Sequence, residues 1–168
     1  KYHCYYGLPC DPIDGVPATQ TGMEPWDVEV AQDGTVYILD NVIPSFGMPT
    51  TIRRVGVNGI IERIAGGGSL PVADGVAATS ADISNAGLMT LGPDGTLYFT
   101  MNGKLLGLDT SGVLRHLAGR GCTEYGCPSD PFPNGSAALS ADIGSRTGGL
   151  AIAAGQDNAI YLAPQTQF

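Results

Sequence analysis

Basic residues are scarce in this sequence, which argues against nucleic-acid binding. It holds 8 Lys and Arg against 16 Asp and Glu, for a formal net charge of −8. Binding to a phosphate backbone depends on clustered cations, and the largest basic cluster here is the pair Arg53-Arg54. A pair of this kind on a strand is typical of a solvated face or a structural ion pair. We therefore expect no nucleic-acid partner.

Long apolar segments are missing as well. No run of 18 apolar residues occurs, so we expect no membrane insertion. No segment keeps the i, i+3, i+4, i+7 spacing of an amphipathic helix beyond about two turns, whereas Gly (25) and Pro (12) are abundant. This composition predicts many short strands joined by tight turns. The N-terminus, KYHCYYGLPC, does not read as a signal peptide, so any such peptide is expected to lie outside this chain.

Hydrolase motifs are also absent. No G-x-S-x-G elbow and no H-E-x-x-H motif occur, and the chain has only two histidines, His3 and His116. Neither histidine completes a convincing set of metal ligands with the cysteines. These absences predict no catalytic residues and no metal, and a chain that needs no cofactor.

What the sequence does contain is one phrase written three times, about sixty residues apart. It reads DGVPATQTGM from Asp14, DGVAATSADI from Asp74 and NGSAALSADI from Asn134. Each copy is followed by an apolar strand, a turn of the type QDGT, PDGT or QDNA, and a second strand carrying Tyr37, Tyr98 or Tyr161. Asp followed by Gly or Asn suits the tight turn of a hairpin.

The first two copies continue with a second hairpin, so that one repeat predicts four antiparallel strands. Residues 51–68 turn at Asn58-Gly59, and residues 105–121 turn at Ser111-Gly112. A period near 60 built from four-stranded units is typical of a β-propeller. The innermost strands are predicted to be DVEVA, GLMTL and GLAIA. The small and aliphatic residues of the repeated phrase are predicted to be buried between neighbouring blades: Ala78, Ala81, Ile83, Ala138, Ala141 and Ile143.

The predicted fold is therefore all-β, a propeller of four-stranded blades with about 2.8 blades present. The predicted segments are blade 1 at about 14–68, blade 2 at about 74–121 and an incomplete blade 3 at about 134–168, with cysteine-containing loops at 1–13 and 121–133. Propellers close with roughly four to eight blades, so this chain is not expected to close a ring alone. Further segments or copies are expected to complete it, and the broken third blade favours a piece of a longer polypeptide because an open edge strand promotes aggregation.

The repeat resembles the NHL-repeat propellers, most closely those of teneurins and of bacterial Rhs-like (YD-repeat) surface proteins. The matching residues run through Asp74-Gly75 with 78–81, through 93–98, and through 52–55 into 64–66. The resemblance implies a scaffold or recognition role in a large extracellular protein. The sequence departs from the pattern in the excursion NVIPSFGMPT of blade 1, and in LLGLD where blade 1 has IRRV. Such outer loops are places where a partner surface could be built.

The spacing of the cysteines and one glycosylation sequon also favour an extracellular protein. Cys4 and Cys10 precede the first phrase, and Cys122 and Cys127 precede the third. Each pair could close a small disulfide ring in an oxidising compartment; free thiols and metal binding stay open as alternatives. Asn134 begins the only Asn-x-Ser/Thr sequon, a candidate glycosylation site in a secreted protein.

Two acidic residues, Asp27 and Glu29, fall on the first predicted inner strand, where Glu29 could face a water or a cation. A strand-capping or channel-lining role is the commoner outcome for such a residue. The single Trp, Trp26, is expected to pack between blades. Asp33, Asp94 and Asp157 are expected to bond locally in turns.

Together these observations predict a secreted, non-enzymatic, disulfide-containing module that binds protein partners or further propeller segments. The partner-binding candidates lie in two loops: Ile43, Phe46, Met48, Tyr125 and Phe132. The alternative is part of a propeller enzyme, a lyase or lactonase, with an axial metal supplied by blades that are missing here. Metal analysis distinguishes the two.

Overall fold

The computed structural model describes residues 13–40, 49–121, 135, 137–141, 143 and 150–164 of the 168-residue chain. These residues form eleven strands and three short 3₁₀ turns. None of the helical turns among them approaches the length or apolarity needed to cross a lipid bilayer. The strands, in chain order, are β1 (Val16–Pro17), β2 (Pro25–Val30), β3 (Val36–Asp40), β4 (Thr51–Val55), β5 (Ile60–Gly66), β6 (Ala86–Leu91), β7 (Leu97–Met101), β8 (Lys104–Leu108), β9 (Leu114–Ala118), β10 (Leu150–Ala154) and β11 (Ile160–Pro164).

The strands form three antiparallel sheets, in agreement with the all-β propeller prediction. Sheet A has the order β1-β5-β4-β3-β2, sheet B has β6-β7-β8-β9, and sheet C has β10-β11. One edge strand of each sheet lies beside that of the next, because β2 contacts β6 and β6 contacts β10. This is the arrangement of propeller blades around an axis, with β2, β6 and β10 as the predicted inner strands.

Sheet A gains a fifth strand that the sequence pattern does not predict. The chain before the sheet returns to its outer edge, where Val16 pairs with Ile61 and Pro17 with Ile60. The N–H of Gly15 donates to the carbonyl of Ile61 at 2.8 Å. This pairing satisfies part of the outer edge of β5, which would otherwise expose unpaired backbone groups.

The hairpin turns form as their residues predict. Asp33, Asp94 and Asp157 each accept a hydrogen bond from the backbone N–H two residues on, at 2.9, 3.0 and 3.1 Å. The carboxylate oxygen thus replaces a backbone acceptor in the tight turn. In the third turn Asn158 has a φ of +62°, at the position where Gly34 and Gly95 have +90° and +83° in the first two.

Two opposite faces can be defined for each sheet, since side chains alternate along a strand. The forward face looks toward the next sheet along the chain, and the rear face looks the other way. On sheet A, Tyr37 and Leu39 lie on the forward face, in the core shared with sheet B. On sheet B, Phe99 lies on the rear face in that same core, whereas Tyr98 lies on the forward face against sheet C.

The repeated phrase fills the gap between sheets A and B, as predicted. Ala78, Ala81 and Ile83 are all fully buried in the core between them. The N–H of Ala78 donates to the carbonyl of Gly112 in the outer hairpin of sheet B at 2.9 Å. The small side chains let backbone pass close between two packed sheets, which explains why the phrase recurs.

The third copy of the phrase follows this prediction only in part. Ile143 is buried against sheets B and C, whereas Ala141 is half-buried and Ala138 is exposed. The prediction for Ala138 is therefore wrong. Its counterpart Ala78 is covered by the hairpin β8-β9 of the following sheet, and the described part of sheet C has no such outer hairpin.

Candidate functional site

An acidic pair lies on the inner strand of sheet A, at its junction with sheet B. Asp27 sits at a β-bulge, where the pairing of β2 with β3 shifts register. One oxygen, Oδ2, accepts the N–H of Met89 on β6 at 2.7 Å, and Oδ1 accepts the N–H of Val28 at 2.9 Å. Asp27 thus ties the inner strands of two sheets together. Bulges re-aim side chains in this way near functional sites.

Glu29 lies two residues further on the same face of β2 and has a raised pKa. Burial is the main cause, and the neighbouring charge of Asp27 adds to it; a hydrogen bond with the Thr90 side chain acts in the opposite direction. Loss of solvent and a like charge both disfavour the ionised carboxylate. A carboxyl group perturbed by these two causes is a candidate for proton transfer.

The acidic pair is confined to sheet A among the described inner strands. Counting from the paired residues Tyr37, Tyr98 and Tyr161, the position of Glu29 is Thr90 in sheet B and Ala153 in sheet C. A purely structural role for this position would be served by small or hydroxyl side chains, as sheets B and C show. The carboxylate therefore needs a separate explanation.

A groove of about 300 Å³ lies between sheets A and B, and its lining reaches the acidic pair only through a neighbour of Glu29. Tyr37, which lines the groove, is the cross-strand partner of Glu29. Cross-strand partners lie on one face of a sheet with their Cβ atoms about 5 Å apart. The rest of the lining combines aliphatic side chains with charged ones: Arg54, Ile64, Leu97, Leu108 and Asp109.

The charged residues of the groove are engaged locally. Arg54 donates from Nη2 to Glu62 at 2.8 Å, and both side chains are about half exposed. The pKa of Asp109 lies below its ordinary value, chiefly because of the hydrogen bond from the Ser111 side chain. Asp109 is therefore ionised at neutral pH, and the groove carries one positive and one negative side chain.

A metal does not fit the acidic pair by itself. No three His, Cys, Asp or Glu side chains gather anywhere in the described ranges. Each oxygen of Asp27 already accepts one backbone hydrogen bond, and Glu29 is hydrogen-bonded to the Thr90 side chain, so part of the acceptor capacity of the pair is in use. A hard cation requires several oxygen ligands, and this pair offers too few of them.

A second polar cluster lies on the rear face of sheet A, and it contains a structural ion pair of Arg53, one of the two outcomes that the sequence predicts for the Arg53-Arg54 pair. Arg53 is 1% exposed and donates from Nη2 to the carbonyl of Ile13 at 2.8 Å and to Asp14 at 2.9 Å. Asp40 is fully buried, and its Oδ1 accepts the N–H of Glu24 at 2.8 Å. Burial raises the pKa of Asp40, and that backbone hydrogen bond and the charge of Arg53 oppose the rise.

The same two positions are apolar in sheet B. Arg53 corresponds to Leu106, and Asp40 corresponds to Met101, when the sheets are aligned on their paired strands. Oδ2 of Asp40 and the Nε and Nη1 atoms of Arg53 have no hydrogen-bond partner among the described residues. Sheet A thus carries two buried charged side chains, Asp40 and Arg53, at positions where sheet B has apolar ones, and the ion pair of Arg53 is with the half-exposed Asp14.

The outcomes for the other predicted residues differ. Trp26 is 65% exposed rather than packed between blades, because no neighbouring sheet in the described ranges covers it. His116 lies on β9 and contacts the carbonyl of Gly119 through Nε2 at 2.7 Å. The remaining predicted sites lie outside the described residues: Cys4, Cys10, Cys122, Cys127, Asn134, Ile43, Phe46, Met48, Tyr125 and Phe132.

Comparison with solved structures finds virginiamycin B lyase from Staphylococcus aureus. A catalytically inactive variant with quinupristin matches with a TM-score of 0.47 and 17% identity, over 89% of this chain and 38% of the lyase chain. The selenomethionine form matches with a TM-score of 0.45 and 17% identity, over 89% and 36%. This chain therefore spans less than two fifths of the length of these structures.

No family model matches the chain, and no curated protein matches it in sequence. The likeness to the lyase, at 17% identity, shows the propeller-type fold alone, and nothing in the comparisons supports the NHL, teneurin or Rhs resemblance in particular. The prediction that the chain is not an enzyme does not stand beside these matches, which are structures of a lyase; the likeness itself assigns this chain no activity.

Proposed function

We propose that this chain is part of a propeller enzyme of the lyase or lactonase type, in which Glu29 exchanges a proton with the substrate. The observation that carries the proposal is the raised pKa of Glu29 on an inner strand, next to Asp27 and paired across the strands with Tyr37, which lines a groove. The best proton acceptor at neutral pH has a pKa close to that pH. Burial and the charge of Asp27 both raise the pKa of Glu29, and so bring it closer to neutral pH.

Each neighbour of Glu29 has a role in this proposal. Asp27 is fixed by its hydrogen bond to Met89 and supplies the like charge. The Thr90 side chain bonds to the carboxylate and holds its orientation. The groove lined by Tyr37, Leu97 and Leu108 accepts an apolar part of the substrate, with Arg54 and Asp109 at hand for polar groups.

The lyase and lactonase forms of the reaction differ in what happens after the proton moves. In an elimination, ionised Glu29 accepts a proton from a carbon next to a carbonyl. The C–H electrons form a C=C bond, and the leaving group departs with the electrons of its own bond. In a lactone hydrolysis, Glu29 accepts a proton from water, which adds to the carbonyl. Ring opening leaves the substrate mass unchanged in the first case and adds one water in the second.

The test uses quinupristin as a probe, with separation and mass analysis of the products. Glu29→Gln should reduce turnover about 100- to 10,000-fold, the usual contribution of a general base. Asp33→Asn, an isosteric change in an exposed turn, is the matched control and should leave turnover unchanged. Equal turnover by the Glu29→Gln variant and the original chain would contradict the proposal. If neither the original chain nor the Glu29→Gln variant turns over quinupristin, compounds of this class are excluded as substrates.

We also propose that the chain works outside the cell or at its surface, as a propeller that resembles the NHL type. The cysteine pairs at 4 and 10 and at 122 and 127, together with the sequon at Asn134, support this placement. The measurement is the intact mass before and after reduction and deglycosylation. A gain of four hydrogens on reduction is expected, and four free thiols would argue against an oxidising compartment.

A further inference from the structure

Three buried polar atoms on the rear face of sheet A have hydrogen-bonding capacity that no described residue uses. They are Oδ2 of Asp40 and the Nε and Nη1 atoms of Arg53. Asp40 is fully buried and Arg53 is 1% exposed, so bulk solvent does not reach either side chain. Nearly all buried polar side-chain atoms in native proteins bond either to protein or to ordered water. These three atoms therefore indicate a bound molecule.

The two side chains are neighbours on one face of the sheet, but they are not in direct contact. Arg53 lies opposite Ile38, which is two residues before Asp40 on β3. Such diagonal neighbours have Cα atoms about 7–8 Å apart, within reach of long side chains. Among the described residues the ion pair of Arg53 is with Asp14, so its nitrogens lie farther than 4.0 Å from the Asp40 carboxylate. A polar gap wider than about 3.5 Å is where a bridging water is expected.

The unused atoms define the chemistry of the molecule that fits between them. Nη2 of Arg53 already donates to the carbonyl of Ile13 and to Asp14, which leaves the N–H donors on Nε and Nη1. Oδ1 of Asp40 already accepts the N–H of Glu24, which leaves Oδ2 as an acceptor. The bound molecule must therefore both accept and donate. An anion can only accept, and a metal cation would satisfy only the carboxylate.

We propose that at least one water molecule is bound inside the rear face of sheet A, where it accepts an N–H of Arg53 and donates to Oδ2 of Asp40. Water is the smallest molecule with both capacities, which suits a site closed to solvent. Internal waters typically make about three hydrogen bonds to buried groups that the protein leaves unsatisfied. This water site does not depend on the chemistry proposed for Glu29.

The water links segments that meet where the inner strand of sheet A begins. Asp40 ends β3 and binds the N–H of Glu24, the residue directly before β2. Arg53 on β4 binds the segment that leads into β1, through the carbonyl of Ile13 and through Asp14. A water between Asp40 and Arg53 joins these two sets of hydrogen bonds into one network. The network holds the start of β2 against the rest of the sheet.

Sheet B shows that the fold does not require a water at these positions. The residues that correspond to Asp40 and Arg53 are Met101 and Leu106. Leu106 is 1% exposed, and Met101 packs against the same core. Neither side chain needs a hydrogen-bond partner there. The water is therefore tied to the two charged side chains of sheet A, and the double variant Asp40→Met/Arg53→Leu, which introduces the sheet B pair, should remove it.

The experiment is magnetic relaxation dispersion of water, which counts long-lived internal waters in solution, on the full 168-residue chain. The double variant should lose at least one such water. Arg54→Leu is the matched control, because Arg54 lies on the opposite face in a half-exposed pair with Glu62. It should leave the count unchanged. Equal counts for the original chain and the double variant, or the same loss in Arg54→Leu, would overturn the proposal.

A crystal structure of the original chain gives a second readout that needs no variant. We expect an ordered oxygen within hydrogen-bonding distance of Oδ2 of Asp40 and of Nε or Nη1 of Arg53. Crystals grown with bromide and with rubidium salts separate water from an ion. Anomalous density at the site would identify an anion or a cation and would overturn the proposal. A direct bond between Arg53 and Asp40, or a protein group in place of the water, would do the same.

Discussion

Arg53→Leu is expected to lower the free energy of unfolding by about 1–3 kcal/mol at pH 7, because it removes the hydrogen bonds to Ile13 and Asp14 and a positive charge that favours ionised Asp40. Leucine occupies the corresponding position, Leu106, in sheet B, so the side chain fits the fold. Part of the loss concerns Asp40, which is fully buried and whose ionised form the charge of Arg53 favours. Chemical denaturation of both proteins measures the difference.

Two companion measurements isolate the contribution of Asp40. Adding Asp40→Asn to Arg53→Leu should recover the part of the loss that comes from Asp40, because the amide oxygen can still accept the N–H of Glu24 and carries no charge. The pH dependence gives an independent check. The pKa of Asp40 is raised above its ordinary value of 3.8, so the folded chain binds this proton more tightly than the unfolded chain.

The direction in which Asp40 changes stability with pH follows from its higher pKa in the folded chain. Its contribution to stability falls as the pH rises from 3.8 through the raised folded-state pKa, and it is recovered as the pH falls again. Removal of Arg53 should raise this pKa further. The stability deficit of Arg53→Leu should therefore shrink in acid, and a deficit that stays constant from pH 7 to pH 4 would argue that lost packing, not charge, is its cause.

Gly66→Ala is expected to lower the free energy of unfolding by about 3 kcal/mol or more. Gly66 has a φ of +78°, which costs an alanine about 1–2 kcal/mol. Its Cβ would also overlap the carbonyl oxygen of Thr50 and come within 2.7 Å of Ile83. Overpacking of this kind adds about 1–3 kcal/mol. Thermal or chemical unfolding measures the sum.

Gly59→Ala is the matched control for this substitution. Gly59 has the same φ of +78°, but its Cβ would meet no atom within 4 Å. Gly59→Ala should lower the free energy of unfolding only by the cost of the left-handed backbone conformation, about 1–2 kcal/mol. Equal losses for the two variants would mean that the close passage of the repeated phrase past β5, through Ile83, does not constrain the fold.

The sequence predicts the sheets because the determinants of a sheet are local and are repeated here. Turn residues such as Asp33 and Asp94 act within two residues of themselves, and Tyr37, Tyr98 and Tyr161 mark the second strand in every copy. The burial of Ala78 follows from the same repetition. The exposure of Ala138 does not, since it depends on an outer hairpin that the described part of sheet C does not share.

The site residues depend on contacts between distant parts of the chain, and the sequence pattern does not contain them. Asp27 is fixed by the backbone of Met89, 62 residues later, and Glu29 is perturbed by Asp27 and Thr90. The burial of Arg53 requires Ile13 and Asp14, about 40 residues earlier. A comparison of aligned repeats could have singled out Arg53, since it replaces the leucine of the second copy.

Trp26 illustrates the same limit. A lone tryptophan beside an inner strand is expected to pack between blades, yet it is 65% exposed. That expectation requires a neighbouring sheet on both sides of sheet A. The described sheets cover only the forward face, and the position of Trp26 at the bulge before Asp27 is not visible in the hydrophobic pattern.

The role of Glu29 in proton exchange can be checked at the atom itself, by NMR titration of its carboxyl carbon with isotope-labelled glutamate assigned through the Glu29→Gln variant. We expect a midpoint above the ordinary value of 4.5. The midpoint should be lower in Asp27→Asn, because one cause of the raised pKa has been removed. A midpoint at or below 4.5, unaffected by Asp27→Asn, would contradict the assignment of Glu29 as the proton-exchanging group.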